Sequence, residues 1–349
     1  PGDDGGAPAP ESRVAAERTE SLPDMPLRIA LRPTNDRREQ RPLGLASLPT
    51  FAHEDRQREP ADAFKHRFIA ARTPRPNRVA IERGLEYLAR VQLADGRWRF
   101  DNLESVATTF PRPTSVRADA AATGLALLAY LGAGHDHFDG RYQLVVQDGL
   151  DFLVRIQQRE GAFSESDGNE PSEVTSFYSH GIAALALCEA YGMTGDATLK
   201  VPAQLALDHL AARLEHELQT RDGGAIRQND WSVIGWQLAT LRSGRLGGLT
   251  VDAEALARIS ASLAQMQIDA NSSDEMQTAI ALAVELHLRQ TNAVASQRSA
   301  SEQLLAHEGE DMPHRDTYYW YYGSQAMYYL GGDQWQTWSR ELYPRLIES

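Results

Sequence analysis

The sequence is nearly devoid of cysteine, which excludes several classes of protein. Cys188 is the only cysteine among 349 residues, so a disulfide framework, a cysteine zinc cluster and an iron–sulfur site are excluded. Cys188 lies in an apolar run that starts at Gly181, and we interpret it as a small core residue. No stretch reaches the roughly 18 uncharged apolar residues of a membrane helix, so no span is expected within this sequence.

The sequence is also short of positive charge. Its formal net charge is −13 and its isoelectric point is near 5.3. Nucleic-acid binding requires a basic surface that neutralises phosphates, so we expect no nucleic-acid partner. With 42% hydrophobic and 24% charged residues, the composition is typical of a globular protein that buries a sizeable core.

The distribution of proline divides the sequence in two. Eleven of the 17 prolines lie in residues 1–77, whereas all six tryptophans and all twelve tyrosines follow residue 78. We therefore predict an extended or disordered Pro/Arg-rich tail over residues 1–77 and a folded domain over residues 78–349. Apolar pieces within the tail, residues 26–33 and 43–48, favour a tail that lies along a partner or along the protein's own body.

The first residue is proline instead of methionine, which is consistent with a preceding piece removed by processing or by trimming. A removed signal peptide or membrane anchor would predict an exported or membrane-tethered protein. Trimming would leave a cytoplasmic location equally open.

An internal repeat organises the predicted domain. Residues 83–98 recur as residues 148–163, an offset of 65, and a degraded third copy runs from Leu207 to Ile226. The recurring residues are glycine, glutamine, glycine and an aromatic ring: Gly84, Gln92, Gly96 and Trp98 in the first copy, and Gly149, Gln157, Gly161 and Phe163 in the second. The copies have the pattern of amphipathic helices, and we interpret their glutamine and aromatic residues as structural.

A second kind of segment, apolar nearly all round, lies between the copies. Its centres are Gly124, Gly181, Gly235, Ala279 and Gly323. Amphipathic helices that alternate with apolar helices predict two concentric layers, with the apolar helices inside. The sequence therefore predicts an all-α fold, an α/α toroid of five to six helix pairs.

The pattern from Gly84 to Trp98 resembles the glutamine–tryptophan repeat of squalene and oxidosqualene cyclases and the related repeat of protein prenyltransferase β subunits. Residues 229–237 and 316–325 resemble a mostly uncharacterised bacterial branch of that superfamily. The resemblance covers about residues 78–345 and implies the toroid of the terpenoid cyclases.

The chemical motifs of that superfamily are absent from the sequence. It contains neither the Asp-x-Asp-Asp motif that protonates an alkene nor the Asp-Asp-x-x-Asp cluster that holds magnesium. Asp316 leads a run that resembles the prenyltransferase zinc site, but Tyr318 stands at the cysteine position, and a phenol is a poor zinc ligand. We therefore expect no metal and no cofactor, and the sequence does not decide whether the protein is an enzyme.

Acidic residues stand near the start of each apolar segment, at Asp119, Glu173, Asp230, Asp274 and Asp316. Parallel inner helices would gather these carboxylates at one end of a cavity. They fit helix capping, which favours acids in the first turn. They also fit an acidic rim that supplies a general acid, for which the candidates are Asp119, Asp230 and Asp316.

Aromatic residues concentrate in three of the apolar segments. They fit a tyrosine-rich core, a subunit contact, or the lining of a cavity that binds an apolar chain or stabilises a carbocation. The candidates are Tyr178, Trp231, Trp236, Tyr318, Trp320, Tyr322 and Tyr328.

Together these features favour a non-catalytic binding or assembly subunit on a cyclase-like toroid. Its partner would be a protein, bound through the tail or an aromatic surface, within a larger membrane-associated complex; an apolar ligand is a further candidate. The alternative is a divergent cyclase or prenyltransferase-like enzyme that acts on a polyisoprenoid in an aromatic cavity. A toroid that processes carbohydrate with paired carboxylates is the third hypothesis, since fold alone does not decide function.

Overall fold

The computed structural model describes most of the predicted domain. The described residues are 75–100, 118–138, 140–163, 173–220, 231–254, 256–257, 275–287, 294–306 and 317–348. Of the predicted tail, only residues 75–77 are described, and they belong to the first helix. The predictions for the rest of residues 1–77 lie outside the described part of the chain.

The described residues form α-helices and no β-strand, which confirms the all-α prediction for this part of the chain. The helices are α1 Arg75–Val91, α2 Asp119–Gly132, α3 Gln143–Ile156, α4 Glu173–Thr194, α5 Ala197–Thr220, α6 Trp231–Leu246, α7 Glu275–His287, α8 Val294–Ala306, α9 Thr317–Leu330 and α10 Gly332–Glu348. Within the described ranges, no helix combines the length and the apolar character that crossing a membrane requires.

The helices are of two kinds, as the sequence pattern predicts. We call α2, α4, α6, α7 and α9 the buried set, because each contains the centre of one apolar segment. In α4, every residue from Ser179 to Gly192 is buried. We call α1, α3, α5, α8 and α10 the flanking set, because buried and exposed residues are interspersed along each of them. In α3, for example, Phe152 and Leu153 are buried whereas Asp148 and Asp151 are exposed.

Contacts between helices follow chain order within the buried set. Helix α4 packs against α2 and α6, and α7 packs against α6 and α9. Among the flanking helices, α3 contacts α2, α5 contacts α4 and α6, α8 contacts α7, and α10 contacts α9. Helix α10 also contacts α1, so the first and last described helices are neighbours.

Glycines at the centres of the buried helices allow these helices to approach closely. A Cβ atom on Gly124 of α2 would lie 2.9 Å from the Ile182 side chain of α4. A Cβ atom on Gly235 of α6 would lie 2.9 Å from the ring of Tyr322 in α9. The predicted small centres therefore mark helix–helix contacts, where a larger side chain would force the helices apart.

The repeat glutamines join consecutive flanking helices. The Gln92 side-chain amide donates to the carbonyl of Gly96 at 2.9 Å and to the carbonyl of Val145 in α3 at 3.0 Å. Gln157 does the same one copy later, donating to the carbonyls of Gly161 at 3.3 Å and of Pro202 in α5 at 2.9 Å. Each glutamine thus holds its own turn and attaches that turn to the next flanking helix.

The turn that follows each glutamine requires glycine. Gly96 and Gly161 have φ angles of 89° and 90°, in the region that disfavours residues with a side chain. A Cβ atom on Gly96 would overlap the Asp148 carbonyl oxygen, and one on Gly161 would overlap the Leu205 carbonyl oxygen. Both turns therefore lie directly against the backbone of the next flanking helix.

The repeat aromatic fills the space beside the next copy's glycine. Trp98 is 3% exposed, and its indole N–H donates to the carbonyl of Leu88 at 2.8 Å. A Cβ atom on Gly149 would lie 2.8 Å from the Trp98 ring. The first glycine of the first copy differs, because Gly84 has no atom within 4 Å of the place where its Cβ would lie.

Two glycines with different surroundings therefore predict opposite stability effects. We expect Gly96→Ala to lower the free energy of unfolding by at least about 2 kcal/mol, because the left-handed backbone and the Asp148 carbonyl both oppose a Cβ atom. The matched control is Gly132→Ala at the end of α2, which we expect to raise the free energy of unfolding by about 0.5–1 kcal/mol, since no atom lies within 4 Å of its Cβ position and alanine favours an open helical position. Urea unfolding followed by circular dichroism measures both, and equal effects would contradict this account.

Candidate functional site

A small apolar cluster, distinct from the main core, forms where four helices of the buried set meet. We call it the inner cluster. Its buried members come from the start of α2, from α4 and from α6: Ala118, Ala121, Ile182, Leu185, Trp236 and Ala239. Half-buried side chains pack against it: Phe100, Leu125, Leu128, Tyr178 and Tyr321. The inner cluster gathers side chains from four of the five apolar segments.

Trp236 lies at the centre of the inner cluster. Its ring is stacked on Tyr321 of α9, with ring centroids 5.0 Å apart and planes inclined by 22°. Tyr178 and Tyr322 approach it edge-on, at 6.4 Å and 6.2 Å. The Trp236 indole N–H donates to the Tyr178 hydroxyl at 3.0 Å. Such tilted and offset ring contacts stabilise beyond the area that they bury, and only 3% of Trp236 is exposed.

Two of the remaining aromatic candidates, Trp320 and Tyr328, lie against α10 and not in the inner cluster. Trp320 lies between Tyr319 and Trp338 of α10, with its ring centroid 5.2 Å from each. Tyr328 approaches Trp335 of α10, also at 5.2 Å. Among the candidates, Tyr178, Trp236 and Tyr322 are therefore brought together, while Trp320 and Tyr328 face α10. Trp231 and Tyr318 belong to α6 and α9, and their side chains lie outside the described part of the structure.

Asp119 is the one acid of the predicted rim whose side chain the structure describes, and it is paired with arginine. Asp119 begins α2 and is 5% exposed. Arg97 contributes an ion pair to its carboxylate at 2.8 Å, and the Arg99 guanidinium lies 3.9 Å away. Both arginines follow the Gly96 turn, so the repeat loop supplies the charges that compensate Asp119. The other two acid candidates, Asp230 and Asp316, lie outside the described residues.

The structure draws attention to two buried ionisable residues that were not candidates. His180 of α4 is 4% exposed, and burial lowers the pKa of its imidazole to about 3. The neutral ring packs against the repeat aromatic Phe163, with centroids 5.1 Å apart, and shares a hydrogen bond with the Ala206 carbonyl at 2.9 Å. His180 therefore belongs to the interface between α4 and α5.

Glu285 of α7 is the second such residue. It is 6% exposed, and burial raises the pKa of its carboxyl to about 7, although a hydrogen bond with Gln297 of α8 acts in the opposite direction. Its Oε2 atom has no hydrogen-bond partner among the described residues. The only signal in the sequence is an acid at the end of the apolar run Ile280–Val284, which resembles an ordinary surface residue of a helix.

The inner cluster offers aromatic and aliphatic surfaces, which contact apolar molecules, and the two phenols of Tyr178 and Tyr321. In the ranges that the structure describes, no three histidine, cysteine, aspartate or glutamate side chains are grouped so as to hold a metal ion. Neither the known protein families, nor the curated proteins, nor the solved structures include a match to this chain. Its own geometry therefore defines the candidate site.

Glu285 predicts a distinctive pH dependence of stability. Because its pKa is higher in the folded protein, the folded state binds more protons between pH 4.5 and about 7, and stability falls as the pH rises through this range. We expect Glu285→Gln, which keeps the shape without the charge, to gain about 2–3 kcal/mol relative to wild type between pH 4.5 and pH 8. Urea unfolding at these two pH values measures the difference. A difference that does not change with pH would contradict a buried Glu285 carboxyl.

Proposed function

We propose that this protein is a non-catalytic binding or assembly subunit built on an α/α toroid like that of the squalene cyclases and prenyltransferases. The helix contacts support the toroid, because the buried helices follow one another as neighbours and α10 contacts α1. Stacking of Trp236 in α6 on Tyr321 in α9 supports it further. These two helices are not consecutive in the buried set, so the set must curve to bring them together.

The observation that carries the proposal is that two candidate site residues, Trp236 and Asp119, are packed or paired within the protein. The Trp236 ring is stacked on a tyrosine, its N–H is bonded to the Tyr178 hydroxyl, and its surface is 97% covered by the protein, since 3% is exposed. Asp119 is neutralised by Arg97. A general acid must reach its substrate and a cavity aromatic must expose its face, and these side chains serve the packing of the protein instead.

The partner on this proposal is a protein. The sequence resemblance provides the scaffold without the acid and metal motifs, so the scaffold is available for binding. The predicted contact regions are the tail, residues 1–77, and an aromatic surface.

The proposal is tested by purifying the tagged full chain from its native source under gentle conditions. We expect native mass spectrometry to show one partner at fixed stoichiometry. We also expect no product when the purified complex is incubated with squalene or with a polyprenyl diphosphate and magnesium. Turnover that is abolished by Asp316→Ala or Asp230→Ala would overturn the proposal, since those variants remove the remaining acid candidates.

A second candidate function is binding of an apolar chain at the inner cluster. It is favoured by the half-buried side chains Leu125, Leu128, Tyr178 and Tyr321, which pack against the inner cluster and leave part of their surface accessible. Two tyrosine rings and two leucines form a surface suited to a polyisoprenoid.

This second function predicts that farnesol quenches tryptophan fluorescence in a saturable manner. We expect Tyr321→Ala to weaken binding by about tenfold or more, the effect of removing one ring from an apolar contact. The matched control is Tyr328→Ala, which removes a ring that faces Trp335 instead of the inner cluster. Equal affinities of the two variants, or no saturation in wild type, would exclude the inner cluster as the binding site.

A further inference from the structure

The repeat allows α1, α3 and α5 to be compared position by position. Gln92 and Gln157 define an offset of 65 between α1 and α3. Their acceptor carbonyls on the next helices, Val145 and Pro202, define an offset of 57 between α3 and α5. Ile81 of α1 therefore corresponds to Val146 of α3 and Ala203 of α5, and Gly84 corresponds to Gly149 and Ala206.

One face of α1 is exposed where the equivalent face of the other two helices is buried. Ile81 is 48% exposed, whereas Val146 and Ala203 are 0% exposed. Gly84 is exposed and has no atom within 4 Å of its Cβ position, whereas Trp98 packs on Gly149. We call the surface around Ile81 and Gly84 the α1 face.

The α1 face is exposed because of the order of the copies along the chain. The turn and aromatic of the first copy cover α3, and those of the second copy cover α5. No copy precedes α1 among the described residues, so nothing from the repeat covers the α1 face. Repeat proteins close such terminal faces with a capping segment, because an uncovered interior surface exposes apolar area to water.

We propose that residues 64–72 of this chain, Phe-Lys-His-Arg-Phe-Ile-Ala-Ala-Arg, cap the α1 face, with Phe68 against Ile81 and Gly84 in the place that Trp98 takes on Gly149. The segment lies outside the described residues. The inference rests on the exposure of α1 and on the sequence of the segment, and it does not depend on the function proposed above.

The position of the segment in the chain favours it as the occupant. Only residues 73 and 74 separate it from Arg75, where α1 begins. Pro74 and Pro76 flank this start, and proline disfavours continuing the helix in the N-terminal direction, so the chain can reverse there. Gly84 lies about 13 Å along α1 from Arg75, and the seven residues from Phe68 to Arg75 reach about 23 Å when extended.

The composition of the segment also fits the α1 face. Phe64, Phe68 and Ile69 are apolar, and the segment has three basic residues and no acidic one. The α1 carboxylates Glu82 and Glu86 are half-exposed on the same helix and share one arginine, Arg141, so a second positive charge would find a partner there.

A second copy of the protein is less suited to the α1 face. The repeat aromatics of another copy are already used within it, since Trp98 is 3% and Phe163 is 9% exposed. An intramolecular segment also has an effective concentration of the order of millimolar through its short connection. Both arguments favour residues 64–72 over a second copy as the segment that covers the α1 face.

Limited trypsin digestion of the full chain tests the proposal. The measured quantity is the rate of cleavage after Arg67 and Arg72, relative to cleavage after Arg38 as an internal reference. If the segment is bound, we expect cleavage in wild type to be about tenfold slower than in Ile81→Asn or Phe68→Ala, because proteolysis follows the open population. The double variant should be cleaved no faster than either single variant, since both remove the same contact.

The matched control is Val79→Asn. Val79 is 44% exposed on the same helix, but its equivalents Leu144 and Val201 are 72% and 63% exposed, so this position is not covered in any copy. We expect Val79→Asn to be cleaved like wild type, and all variants to keep their thermal unfolding transition. Equal cleavage rates in wild type, Ile81→Asn and Phe68→Ala would overturn the proposal. So would protection that is lost on dilution, because it would assign the α1 face to a second copy.

Discussion

The spacing of the first three flanking helices depends on one backbone contact, the approach of the glycine turn of one copy to a carbonyl of the next. At Gly96 this carbonyl belongs to Asp148, and at Gly161 it belongs to Leu205. Nothing larger than a hydrogen atom fits between turn and helix, so the distance between them is set by backbone atoms. Distances set in this way do not vary with side-chain choice, and the same geometry recurs although the aromatic residue differs between copies.

The remaining repeat residues stabilise the contact between the glycine turn and the next flanking helix. Gln92 and Gln157 each give their two amide hydrogens to two carbonyls, one in the turn and one in the next helix. The aromatic then fills the adjacent space, and the arginines that follow the first turn reach the start of α2 at Asp119. A single loop thereby positions a flanking helix, a buried helix and one buried carboxylate.

The sequence predicted the parts of this arrangement that depend on local pattern. The two kinds of helix follow from the distribution of apolar residues, and the glycine–glutamine–aromatic spacing pointed to structural residues. The aromatic run of α9 could not be divided from sequence alone. Successive helical residues point about 100° apart, so Trp320 turns to α10 while Tyr321 and Tyr322 turn to Trp236. Tyr321, which stacks on Trp236, was not among the candidates for that reason.

The two buried acids Asp119 and Glu285 were harder to interpret, because their surroundings depend on residues from other helices and loops. Asp119 is an acid at a helix start in any reading of the sequence, but its charge is compensated by Arg97, which precedes it by more than 20 residues. Glu285 stands in a pattern that suggests exposure, and only the packing of α8 on α7 buries it. Contacts between residues of different helices and loops cannot be recognised from the spacing of residues within one segment.

The contact between α1 and α10 has a consequence for how the protein folds during synthesis. Helix α1 leaves the ribosome before the other described helices, and one of its neighbours is the last described helix to be made. Contacts between distant parts of a chain form slowly, because the intervening chain must be ordered first. Among the contacts of α1 with described helices, the one with α10 is therefore expected to form last, and α1 lacks this neighbour until α10 has emerged.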